Sequence, residues 1–214
     1  MGVAGGTFVS SSGEGAGADD MVIHQTGHAV ARAAMSMALS DLGNRLGSNT
    51  SGIEDWLQES VSYDSTRRLT GTTLTTCGEF GKYGQNMTPK PGEDLWIQLA
   101  RRQVEMDDDV DLSRLWRLTV NDIRGPETVK GYALLQYLFE QDAALAQKFI
   151  WHALAHGTPA AVADVYSEWL GTEKPDDEDA TADSYKKGAF NQPAYQNAMN
   201  ALDDRYREWI MKAF

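Results

Sequence analysis

Apolar residues recur at three- and four-residue steps along most of this chain, the spacing of helices that bury one face. The first such stripe runs through residues 21–46. Ile23, Gly27, Val30, Ala31, Ala34, Met35, Ala38 and Leu42 lie on it, Asp19 and Asp20 stand as N-cap candidates, and Gly47 ends it. A second helix is expected over 53–65 and a third over 93–106, where Leu95, Trp96, Leu99 and Val104 recur. After the run DDDVD a short helix is expected around LSRLWRL. Gly125-Pro126 opens the next helix, with Tyr132, Leu135, Leu138 and Phe139 as its core stripe. Another helix follows, stopping at Gly157. Thr158 as N-cap and Pro159 at the first helical position begin one that runs to Leu170 and Gly171. The last helix runs from about 193 to the end.

Strand signals are few. TFVSS (7–11) reads as one strand, and the threonine-rich RLTGTTLTTC (68–77) as a short hairpin. The expected fold is therefore mainly α, in the α+β class. Its parts are a glycine-rich segment (1–20), one principal domain (21–171), an acidic loop (172–191) and a C-terminal helix (192–214) packed on that domain.

Composition narrows the function. The chain has 214 residues, 42% hydrophobic and 23% charged, enough for one domain with a sizeable core. A net charge of −12 argues against nucleic acid or an anionic membrane as partner. Neutral or basic ligands, a peptide or protein among them, suit it better. No apolar run approaches the roughly 18 residues of a membrane helix, and residues 1–20 lack the pattern of a signal peptide. The single cysteine, Cys77, rules out an internal disulfide and leaves the compartment open.

The candidate chemistry begins in MVIHQTGHAV (21–30). His24 and His28 stand four apart, so a helix presents both imidazoles on one face. On the next helix stands Trp56-Leu57-Gln58-Glu59. Glu59 follows His28 by 31 residues, enough for the rest of one helix, a turn and an antiparallel return. Downstream comes Lys130-Gly131-Tyr132-Ala133-Leu134-Leu135.

These three segments, in this order, resemble the gluzincin zinc metallopeptidases, in particular aminopeptidase-N-like and peptidase-MA-like domains. The first matches H-E-x-x-H, the second W-L-x-E-G, and the third the K-G-x-A-L-L helix. The resemblance implies a zincin-like fold and a Zn²⁺ ion held by His24, His28 and Glu59. A fourth position would stay open for water.

Several positions depart from the pattern. Gln25 replaces the general base, and an amide has no useful proton affinity near neutral pH. Thr128 stands where the family has its oxyanion-binding tyrosine; Tyr132, one turn on, is the possible substitute. Ser60 replaces a glycine, and Tyr63 followed by Asp64 stands where an orienting aspartate is expected in one branch. Too few residues precede His24 to form the usual sheet. The resemblance thus implies a divalent-metal site with little or no peptidase activity. Two alternatives stay open: a Glu→Gln variant of a working zinc peptidase, and a metal-free helical binding or scaffold module.

The remaining histidines, His152 and His156, form a second i,i+4 pair in the last turns of a helix. That position favours dipole and carbonyl contacts, a structural role. The acidic loop lacks the residue order of a calcium loop and is expected to be solvated.

Overall fold

A computed structural model describes residues 26, 29, 30, 33–37, 41, 54–70, 94–174 and 193–212. It is mainly helical, and no described residue lies in a strand. In chain order the helices are α1 (Asp55–Thr70), α2 (Leu95–Glu105), α3 (Leu112–Leu115), α4 (Gly125–Gln141), α5 (Ala143–His156), α6 (Thr158–Leu170) and α7 (Pro193–Lys212). Before α1, the described residues between 26 and 41 are helical too. The strand at 7–11 lies outside the described residues, as does most of the hairpin at 68–77. Where the hairpin reading overlaps them, at 68–70, the chain is still in α1.

Helix α4 is the central element. It packs against α1, α2, α5 and α7, while α6 lies between α5 and α7. Its buried residues include Val129, Tyr132, Ala133, Leu134, Tyr137 and Leu138, so its apolar surface extends beyond one stripe. An aromatic cluster ties α1 and α2 to it. The Tyr63 and Trp96 rings lie 4.4 Å apart between centroids, and Trp96 meets Tyr132 at 5.3 Å in an edge-on contact. In the N-terminal helical segment Met35 is buried, but Val30 and Ala34 are exposed. Val30 lies about 140° around a helix from Met35; apart from Ala34, the other residues of the stripe read from the sequence lie outside the described residues.

Local chemistry sets the helix ends. Asp94 caps α2 by accepting from Trp96 N at 2.9 Å. Asp142 ends α4 and caps α5, accepting from the Ala144 and Leu145 amides. Gly157 (φ 90°) and Gly171 (φ 73°) adopt the left-handed backbone that glycine tolerates, at the two ends of α6. Gly157, rather than Thr158, is the N-cap residue of α6. Thr158 is drawn instead to a carboxylate on another element.

Candidate metal centre

Helix α1 carries Glu59 on a strip between two buried faces. Trp56, Ser60 and Tyr63 line one of them, Gln58 and Ser62 the other. Glu59 itself is half-buried. The other carboxylates at the start of α1 are committed elsewhere. Glu54 accepts from Thr158 N at 2.9 Å, from the Thr158 hydroxyl, and from Trp56 Nε1 at 2.9 Å. Asp55 accepts from Val120 N at 2.8 Å. His24, Gln25 and His28 lie outside the described residues; Thr26, Ala29 and Val30, interleaved with them, are helical. Among the described residues no group of three histidine, cysteine, aspartate or glutamate side chains is arranged to share a metal ion.

The second and third motif segments meet at a close helix crossing. Ser60 on α1 faces Gly131 on α4, and a Cβ added at Gly131 would collide with Ser60 Oγ and lie 3.4 Å from the Trp56 ring. Ser60 Oγ is held in place by donating to the Trp56 carbonyl at 2.7 Å. Asp64 accepts from Arg68 Nε and from Gln136 Nε2 on α4, both at 2.7 Å.

The polar groups of α4 are used within the fold. The Thr128 hydroxyl donates to the carbonyl of Arg124 at 2.8 Å, one turn back along its own helix. Tyr132 is fully buried. Its hydroxyl donates to Asp94 Oδ2 at 2.7 Å and accepts from Arg67 Nη1 at 2.8 Å, while Arg67 and Asp94 pair directly at 2.7 Å. Burial, then the Asp94 charge, pushes the Tyr132 hydroxyl far above its ordinary range, so it stays a neutral donor.

Lys130 is the polar residue that sequence reasoning placed least well. Its side chain is fully buried, with Nζ 2.8 Å from Asp109 Oδ2, 2.5 Å from Asp203 Oδ1, and 4.0 Å above the centre of the Tyr206 ring. Arg207 adds a second cation, 3.1 Å from Asp109 and from Asp111. The available signal was a lysine inside a helix, followed on its own face by Ala133 and Leu134. Such a lysine needs a buried anion.

The second histidine pair lies in the last turns of α5 with its rings 4.6 Å apart. His152 Nε2 lies 2.7 Å from Asp164 Oδ2 on α6. This hydrogen bond holds the Asp164 carboxyl below its usual range. Burial, helped by the nearby His152 charge, pushes His156 down.

No known family model matches the chain, and neither a curated protein nor a solved structure does.

Proposed function

We propose that this chain is a zincin-like domain of the gluzincin type. It binds a divalent metal, Zn²⁺, through His24, His28 and Glu59, with Gln25 beside the open coordination position. The observation that carries this reading is the α1–α4 crossing. The two described segments that bear the resemblance pack directly on each other at Ser60 and Gly131. Glu59 stands one residue from that crossing, on the strip of α1 left half-buried. The donor set also suits the ion, since two neutral imidazoles and one carboxylate are a common zinc set. A bound zinc would polarise a water or a carbonyl oxygen. With Gln25 as the neighbour, that water has no carboxylate base, so peptide hydrolysis is slow or absent.

Zinc content tests the reading. Protein purified without chelator is expected to hold close to one zinc per chain by elemental analysis. His28→Ala and Glu59→Gln are each expected to lose most of it while keeping the helical circular dichroism. An apo wild-type protein that takes up no zinc on titration overturns the reading. A Gln25→Glu variant that gains peptidase activity identifies a working peptidase with its base altered.

A second reading is favoured by α4 itself. Thr128, Lys130 and Tyr132 all spend their polar atoms inside the fold. A helix committed in this way suits a metal-free binding or scaffold module. The apo outcome of the zinc measurement selects it.

A further inference from the structure

The C-terminal parts of α4, α6 and α7 surround an open cleft of about 650 Å³. Three aromatic rings form its walls. Tyr137 and Trp209 lie 5.3 Å apart at 38°, and Tyr137 and Trp169 lie 6.1 Å apart at 51°. These tilts make the rings facets around a space rather than one closed stack. Trp169 and Trp209 are only half-buried, so part of each ring meets solvent. Burial pushes the Tyr137 hydroxyl up to about 12, and the wall carries no anion of its own near neutral pH.

Two carboxylates, Glu140 and Glu208, and two cations, Arg205 and Lys212, line the cleft. The Trp169 ring already holds a cation, with the Arg205 guanidinium 4.4 Å from its centre. Glu140 and Glu208 are exposed at the rim. Glu208 meets Lys212 at 3.3 Å, but both side chains are largely in water and such pairs are weak. Glu140 has no hydrogen-bond or ion-pair partner among the described residues. The chain as a whole carries −12.

We propose that this cleft binds an organic cation, its ammonium head seated against the half-exposed ring of Trp209 and held by Glu140 and Glu208. An aromatic face attracts a cation through its quadrupole, most strongly when the cation sheds water easily, as a quaternary ammonium does. The carboxylates add Coulomb attraction, and the negative field of the chain draws cations in and repels anions. Arg205 is the internal occupant of one wall and a like charge to the ligand. Its lining includes none of the proposed zinc ligands, and it stands or falls without that reading.

The test uses the full chain and the Trp indole N–H signals in ¹H–¹⁵N spectra, with Trp209 assigned through Trp209→Phe. Choline and its uncharged isostere 3,3-dimethylbutan-1-ol are the probes. Choline is expected to shift the Trp209 signal saturably, and the alcohol to leave it nearly unmoved. Glu140→Gln is expected to weaken choline binding several-fold. Arg205→Ala is expected to tighten it, because it removes a competing positive charge. Unchanged circular dichroism confirms that each variant is folded. An equal response to both probes, no response to choline, or weaker binding in Arg205→Ala overturns the proposal.

Discussion

The Glu54 carboxylate serves the start of a helix 104 residues further along the chain, accepting from both the amide and the hydroxyl of Thr158. Glu54 also precedes α1, where its carbonyl accepts from Gln58 N at 3.0 Å. One residue therefore joins the beginnings of α1 and α6. Trp56 Nε1 completes the cluster, 2.9 Å from Glu54 and 3.1 Å from the Thr158 hydroxyl.

Removing that carboxylate takes the acceptor from the Thr158 amide and hydroxyl, and leaves Trp56 Nε1 only the Thr158 hydroxyl. Glu54→Ala is expected to cost about 1–3 kcal/mol in urea unfolding. The pH dependence has a definite sign. Burial is the largest influence and raises the Glu54 pKa above its ordinary 4.5, so the folded state holds this proton more tightly than the unfolded state. Glu54's contribution to stability is therefore greatest below that ordinary value, and declines as pH rises through the raised one. Glu54→Gln removes this titration. Its stability relative to wild type is expected to improve as pH rises from 4.5 towards neutrality. A difference that does not change with pH counts against the enclosed carboxylate.

Lys130 should be the least replaceable side chain of α4. It holds Asp109 and Asp203 together where all three side chains are buried. Burial raises the Asp203 pKa even with Lys130 opposing. Lys130→Met keeps the volume and leaves two facing carboxylates. The expected loss is about 3–5 kcal/mol. Adding Asp203→Asn should recover part of it, because one of the two facing charges goes. A double variant no more stable than Lys130→Met would show that the loss comes from packing rather than charge.

The Ser60–Gly131 crossing makes a pairwise prediction. Gly131→Ala places a methyl group against Ser60 Oγ, which cannot swing away without losing its bond to the Trp56 carbonyl. Overpacking of this kind costs about 1–3 kcal/mol. Ser60→Gly opens the space, so the double variant is expected to be more stable than the sum of the two single changes. Additive losses in chemical denaturation would place the strain elsewhere.

The helices were largely legible because periodicity and capping residues are local. Gly125-Pro126, Asp142 and Gly171 each sit where a helix begins or ends. The end of α1 was not. The threonine-rich stretch after Arg68 favours strand on local preference, yet α1 runs on to Thr70, where Arg67 reaches Asp94 and Tyr132. Partnerships across the fold were less legible still. Lys130 and Asp203 stand 73 residues apart, and nothing along the chain names one as the other's partner. Glu59 falls on a helix, as expected, because W-L-Q-E sits in a strongly helical segment. The same segment's Glu54 has its role through Thr158, a contact that exists only once α6 is packed.

The second histidine pair makes the last prediction. His156 has its pKa lowered below the ordinary 6.5, first by burial and then by the neighbouring His152 charge, with Asp164 partly opposing. His152 on its own helix and Asp164 on α6 both act on it. Below pH 6.5 the unfolded chain takes up a proton at this site more readily than the folded one. Folding stability should therefore fall as pH drops from 6.5 through the lowered value, and the loss should be complete below it. His156→Gln removes the titrating group, and its stability curve over that range is expected to be flatter than wild type. Asp164→Asn should steepen the wild-type fall, because it removes the anion that favours the charged imidazole. Parallel curves for wild type and His156→Gln in thermal unfolding between pH 5 and 7, about the span in which histidines titrate, would show that this pair does not sense pH.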